Sequence, residues 1–174
     1  NPEKATQATV MSWRGASIAK TALEYGREVI QGPVFPTYFD YSQEVSANEP
    51  LAIGGPVTLE DVLAFTPIPG VTGVQFQLWT EYIQSPVHAE YMMWPRAAAL
   101  AFQCWSDEKD FESYFIQRRA QLDALGVTIR EIDPLKRANI AHLGTGEFYK
   151  GFDTREMMQT LEKSAIAGEV AHDF

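Results

Sequence analysis

The run Val71–Leu78 constrains this chain more than any other stretch. It reads as a strand that is apolar on both faces, and a parallel sheet covered by helices is what buries both faces. Two shorter stretches have strand character: Thr9-Val10-Met11-Ser12-Trp13, closed by Arg14-Gly15, and Glu28-Val29-Ile30-Gln31, ended by Gly32-Pro33. Helices are expected between and after them. Ser17–Tyr25 places Ile18, Ala22 and Tyr25 on one face, with Gly26 as the C-cap. Thr58-Leu59-Glu60-Asp61 has the form of a capping arrangement, opening a short helix that reaches Phe65 before Pro67, Pro69 and Gly70 break it. Ser85-Pro86 combines an N-cap residue with proline at the first helical position, so a helix is expected toward Trp105, kinked at Pro95. A last helix is expected over Asp107–Leu125, stopped by Gly126. Three strand–helix units in a row predict an α/β fold with parallel strands.

A closed eight-stranded barrel takes about 250 residues. This chain has 174, and its first strand begins almost at residue 1. The expected fold is therefore the C-terminal part of a larger barrel over residues 1–138. A C-terminal extension is expected over 139–174, consisting of a loop through His142-Leu143-Gly144-Thr145-Gly146 and a short helix opened by Asp153-Thr154-Arg155-Glu156.

Composition excludes several functions. A net charge of −9 opposes nucleic-acid binding, which needs a cationic face. No apolar run approaches the roughly 18 residues of a membrane span. The polar opening Asn1-Pro2-Glu3-Lys4 is not that of a signal peptide, and the lone Cys104 suits a reducing compartment, which favours the cytoplasm without settling the location. Cys104 lies in the apolar run Ala97–Trp105 and is expected to be a buried, inert thiol. His88, His142 and His172 are scattered, so no metal and no cofactor is expected.

The site candidates follow the strands. Gly73-Val74-Gln75-Phe76-Gln77-Leu78 ends abruptly in Trp79, Glu81 and Tyr82. Tyr38-Phe39-Asp40 repeats the pattern of an aromatic and a carboxylate two residues apart, and Trp13-Arg14 follows the first strand. Aromatic faces cover apolar ligand surface and carboxylates accept hydroxyl hydrogen bonds, which is the chemistry of a sugar site. Each has a plainer reading: Trp79 as core with Glu81 a rim charge, Asp40 in an Asx-turn, Trp13 as an ordinary buried indole. Trp94 and Trp105 are expected in the core and His88 at the surface or in packing. Glu60 and Asp61 are read as helix capping, and Glu44 and Glu49 as solvated loop charges.

Taken together, these segments resemble glycoside hydrolase family 20, the β-N-acetylhexosaminidases. The matching pieces are Val10-Met11-Ser12-Trp13-Arg14-Gly15, Tyr38-Phe39-Asp40-Tyr41, Glu49-Pro50-Leu51-Ala52-Ile53-Gly54-Gly55, Gly73–Tyr82, Glu90-Tyr91-Met92-Met93-Trp94-Pro95-Arg96 and Leu122–Val127, over roughly residues 8–133. The resemblance implies a (β/α)8 barrel whose sixth, seventh and eighth strands lie here. It implies removal of a terminal N-acetylglucosamine or N-acetylgalactosamine with retention, the substrate's own acetamido oxygen acting as nucleophile. This is an exception to the two-carboxylate retaining scheme. By resemblance, Tyr38 donates a hydrogen bond to the acetamido oxygen. Trp13 and Trp79 form part of the box around the acetamido methyl, with Trp79 under the sugar ring. Asp40 and Glu81 accept from sugar hydroxyls. The family's catalytic Asp-Glu pair has no counterpart, since Asp107-Glu108 is the only such dipeptide and opens a helix.

Three functions are compatible with this reading. One is the C-terminal portion of a β-N-acetylhexosaminidase, inactive alone, whose partners are a glycan substrate and the missing N-terminal half. Another is a non-catalytic half barrel that self-associates through its apolar edges and binds sugar. The third is an unrelated α/β enzyme with Glu81 as acid and Asp40 as nucleophile or base.

Overall fold

The computed structural model describes residues 7–46, 49–132 and 159. Three short strands, β1 (Val10–Ser12), β2 (Val29–Gln31) and β3 (Gly73–Val74), form one sheet in the order β1-β2-β3. Both pairings are parallel, with Val10 opposite Val29 and Ile30 opposite Gly73. The helices are α1 (Ala16–Glu24), the single turn α2 (Val34–Thr37), α3 (Leu59–Leu63), α4 (Pro86–Met93), α5 (Arg96–Trp105) and α6 (Phe111–Ala124). The expected α/β class with parallel strands is what the chain adopts. The expected domain boundary at 138 and the extension after it lie, Gln159 apart, outside the described residues.

Local chemistry explains the element ends. The Thr58 hydroxyl accepts from the Asp61 N–H at 3.1 Å and the Asp61 carboxylate accepts from the Thr58 N–H at 2.9 Å, a complete capping box. Ser85 caps α4 by accepting from the His88 N–H at 3.1 Å. The helix expected from Ser85 to Trp105 is two helices, because Trp94 leaves helical geometry ahead of Pro95. The last helix starts later than expected: Asp110, not Asp107, caps it by accepting from the Glu112 and Ser113 N–H groups.

Several burial expectations are corrected. The strand after Val71 is not apolar on both faces. Val74, Phe76 and Leu78 pack into the main core, whereas Gln75 is exposed and Gln77 half-buried. Its ladder geometry is also brief, with Gln77 pairing only through a bridge to Tyr38. Trp105, expected in the core, is 85% exposed, because it is the last residue of α5 and lies past the helix's packed face. Trp94 is half-buried, as is Cys104, and burial still raises the thiol's pKa. Glu49, read as a solvated charge, is 4% exposed. Glu44 is partly exposed and ion-paired to Arg130 at 2.8 Å.

The main core joins the loop after β2 to the helices through Val34, Phe39, Tyr41, Val57, Val62, Leu100, Phe102 and Phe115. The loop through residues 42–55 is held against it at one tight crossing. Gly55 has φ 140°, and a Cβ there would stand 2.3 Å from Ser42 Oγ and 3.0 Å from Ser42 N. Backbone strain and overpacking each cost about 1–3 kcal/mol. Gly55→Ala should therefore destabilise the chain by about 3 kcal/mol, lowering the thermal midpoint by roughly 6–12 °C. An unchanged midpoint in a calorimetric scan would show that the crossing relaxes freely.

Candidate functional site

The residue order places three segments at one end of the sheet. Trp13 follows β1, Tyr38 follows β2 by way of α2, and Trp79 follows β3, and parallel pairing brings all three exits to the C-terminal edge. Hydrogen bonds lock the exits together. Val34 N–H donates to the Trp13 carbonyl at 3.0 Å. Gln77 N–H donates to the Thr37 carbonyl at 2.9 Å, and Phe39 N–H donates to the Gln77 carbonyl at 2.7 Å. These two bonds bracket Tyr38, which stands opposite Gln77. Two residues further along each chain, Asp40 therefore draws level with Trp79.

The side chains use that register. The Trp79 indole N–H lies close enough to the Tyr38 hydroxyl to favour the ionised form, against the larger effect of burial. The Asp40 carboxylate lies near its own N–H and the Trp79 main-chain N–H, both of which favour its charge, and Glu81 is near enough to repel it. Tyr38 and Tyr41 are tilted together at 6.4 Å between ring centres. Phe39 stacks on Phe76 at 4.9 Å behind them, anchoring the turn to the core. The structure thus brings Tyr38, Asp40, Trp79 and Glu81 into one constellation. Trp13 lies half-buried at the same edge, with the Arg14 guanidinium 4.7 Å from its ring centre.

Burial and charge set the chemistry. Asp40 is 7% exposed, yet its Oδ1 has no hydrogen-bond partner among the described residues. Burial pushes its carboxyl up to about 6, Glu81 adds to the rise, and the two N–H groups and Arg96 oppose it. Burial also raises Tyr38, so its hydroxyl keeps its proton at neutral pH. Trp79 is 54% exposed, which rejects the plain reading of it as a core residue. Glu81 is exposed at the rim. The arrangement offers an aromatic face, one phenolic donor, one buried acceptor and one open acceptor.

Two groups around the site escaped the sequence reading. Arg96 is fully buried and donates to the carbonyls of Phe39, Tyr41, Val57 and Met92. Its signal was a lone cation in the apolar run Tyr91–Leu100, which must find partners. Glu49, Tyr91 and Arg130 form a second buried cluster: the Tyr91 hydroxyl donates to Glu49 Oε1 at 2.8 Å and Arg130 Nε donates to the same oxygen at 3.0 Å. Its members are 42 and 39 residues apart in sequence, so no local pattern reveals it. His88 is buried in packing, accepting from the Gln84 N–H at 3.4 Å, and burial lowers its pKa. Among the described residues no cluster of His, Cys, Asp or Glu could hold a metal, and no helix is long and apolar enough to cross a membrane.

Known proteins share this chain's sequence and fold. Residues 1–108 match glycosyl hydrolase family 20, catalytic domain. The beta-hexosaminidase of Porphyromonas gingivalis is 36% identical over 122 residues, covering 63% of this chain and 16% of that protein. The beta-hexosaminidase of Vibrio furnissii is 30% identical over 111 residues, 57% of this chain and 18% of that protein. The chain thus spans less than a fifth of the relatives it matches. The crystal structure of an exo-β-N-acetylglucosaminidase from Vibrio harveyi, in complex with N-acetylglucosamine, superposes with a TM-score of 0.63 at 27% identity, over 74% of this chain and 24% of that one. The Streptomyces plicatus N-acetyl-β-hexosaminidase gives a TM-score of 0.57 at 26% identity, over 74% and 30% of the two chains. The match runs through the segments that carry β1, β2 and β3, and this chain belongs to glycosyl hydrolase family 20.

Proposed function

We propose that this chain supplies the sugar-holding part of a β-N-acetylhexosaminidase: the last three β/α units of a (β/α)8 barrel acting on terminal N-acetylglucosamine or N-acetylgalactosamine. The observation that carries the reading is the convergence of Tyr38, Asp40, Trp79 and Glu81 at the C-terminal edge, with a buried Asp40 oxygen that has no partner among the described residues. An unpaired buried acceptor costs free energy unless a ligand hydroxyl completes it.

Each group has a role that its surroundings support. The Tyr38 hydroxyl lies beside the Trp79 indole, and burial keeps its proton in place to donate to the substrate's acetamido oxygen. That contact would hold the oxygen near the anomeric carbon, a proximity effect. Trp79 and Trp13 would cover the acetamido methyl, with Trp79 beneath the sugar ring. Asp40 and Glu81 would accept from hydroxyls at the far side of the ring, selecting an unsubstituted terminal sugar. The Asp-Glu pair that orients the acetamido group and protonates the leaving oxygen would come from an upstream half.

Two alternatives weigh differently. β1 and β3 each pair only with β2, leaving two strand edges open among the described residues. An upstream half or a second copy of this chain would cover them, and sedimentation of the isolated chain distinguishes the two. Glu81 as general acid is disfavoured, because it is exposed and lacks the apolar wall such an acid needs.

The test is turnover of a chromogenic N-acetyl-β-glucosaminide by the purified 174-residue chain. The expected result is saturable sugar binding and no turnover, with activity appearing when the upstream half is added. Turnover by the chain alone that vanishes in Glu81→Gln would place the chemistry within these residues and sink the proposal.

A further inference from the structure

Arg96 is the first residue of α5 and is fully buried. A buried guanidinium normally meets a carboxylate; among the described residues no carboxylate lies within ion-pair distance of this one. Its bonds go to main-chain carbonyls. Nη2 donates to Phe39 O at 2.6 Å and to Met92 O at 2.6 Å. Nη1 donates to Tyr41 O at 3.0 Å and Val57 O at 2.8 Å, and Nε donates to Met92 O at 3.2 Å. All five donors of the fork are used. Its carbon lies 4.8 Å from the centre of the Phe39 ring.

Two of those carbonyls belong to the residues immediately before and after Asp40. The guanidinium therefore grips the backbone on both sides of the carboxylate, and its other bonds tie that grip to α4 and to the segment before α3. The planar fork reaches four carbonyls at fixed angles, which a lysine ammonium with three donors on one atom does not.

We infer that Arg96 is a positioning residue: by holding the carbonyls of Phe39 and Tyr41, it sets the direction in which the Asp40 carboxylate meets a sugar hydroxyl. The inference rests on the sugar site proposed above and adds to it the residue that gives Asp40 its specificity. Arg96 touches no substrate. Its effect reads out as loss of hydroxyl discrimination, which a general loss of stability does not produce.

The experiment titrates the 174-residue chain with methyl N-acetyl-β-glucosaminide and with its 4-deoxy and 6-deoxy analogues, followed by ligand-observed NMR. The wild-type chain should bind one deoxy analogue about tenfold more weakly than the parent sugar, as expected when a built hydrogen-bond acceptor loses its donor. Arg96→Lys should bind the parent about tenfold more weakly and no longer distinguish it from that analogue. Thr58→Ala, which removes the cap of α3, should lower the unfolding temperature yet keep the discrimination. If Arg96→Lys does not fold, Phe39→Leu serves instead: it removes the ring under the guanidinium, keeps all four carbonyls, and should reduce the discrimination at least threefold. A folded Arg96→Lys, or failing it Phe39→Leu, that discriminates like wild type overturns the inference. A wild-type chain that binds none of the sugars overturns the site beneath it, and one that binds all three equally removes the role of Asp40; the inference falls with either.

Discussion

Arg130→Met is expected to lower the unfolding free energy by roughly 3–5 kcal/mol, the cost of leaving a buried charge without its partner. Arg130 is 5% exposed and Glu49 4%. Arg130 Nε reaches Glu49 Oε1 at 3.0 Å and the Tyr91 hydroxyl oxygen at 2.8 Å, and Nη2 reaches Glu44 Oε2 at 2.8 Å. Glu49 Oε2 also accepts from the Gln43 N–H at 3.2 Å. Removing the guanidinium leaves Glu49 with neutral donors only, in a place water does not reach. The thermal midpoint should fall by about 6–20 °C at pH 7.5. The double variant Arg130→Met/Glu49→Gln should recover more than half of that loss, since the stranded charge is gone. Equal midpoints for single and double variants would show that shape, and not charge, holds this cluster. The consequence for function is indirect: the cluster ties the loop carrying residues 42–55 to α4, beside the Asp40 turn.

Asp40→Asn should move stability and ligand binding in opposite directions. The native carboxyl titrates at about 6, above the ordinary 3.8, chiefly because burial disfavours its charge. The native state therefore holds this proton more tightly than the unfolded chain does. The stability so gained is complete below the ordinary carboxylate value and is lost as pH rises through about 6. At pH 7.5 the native state carries an ionised, buried carboxylate. Replacing it with the neutral amide should raise stability there by about 2 kcal/mol, or roughly 4–8 °C. At pH 4 the two proteins should melt together. Sugar affinity at pH 7.5 should drop at least about tenfold, because a charge-assisted acceptor has become a weaker one with a donor in place of its unpaired oxygen. Scanning calorimetry at both pH values checks the first half and titration with an N-acetylglucosaminide checks the second. A variant that gains no stability at pH 7.5 would mean that the burial penalty is already offset in the native protein. A site that costs stability when empty is what binding function leaves in a fold.

Much of the fold was legible because its signals are local. Ser85-Pro86, the Thr58–Asp61 box and the stops at Gly26 and Gly126, with φ 68° and 72°, each act within a few residues and predicted α1, α3, α4 and the end of α6. Pro95 was legible as a disturbance, but it was read as a kink in one helix where the chain forms two. What was misjudged depended on distant partners. Glu49 looked solvated because Tyr91 and Arg130, which bury it, are 42 and 81 residues away. Trp105 looked like core because its neighbours in sequence are apolar, yet it falls where α5 runs past the packing. Alternation on Val71–Leu78 was read as two apolar faces, whereas Gln75 and Gln77 mark a face that the core does not cover.

By itself, the sequence determined the α/β class with parallel strands, the caps of α3 and α4, the stops at Gly26 and Gly126, and the pairing of an aromatic with a carboxylate at each of two strand exits. Those features are written in contiguous residues, so propensity, capping and spacing suffice to read them. Only the tertiary structure decided that Tyr38, Asp40, Trp79 and Glu81 meet, that one Asp40 oxygen is buried without a partner among the described residues, and that Arg96 grips the peptide on either side of it. Those outcomes depend on register between segments some forty residues apart and on which side chains lose water. Both quantities belong to packing rather than to any local stretch of the chain.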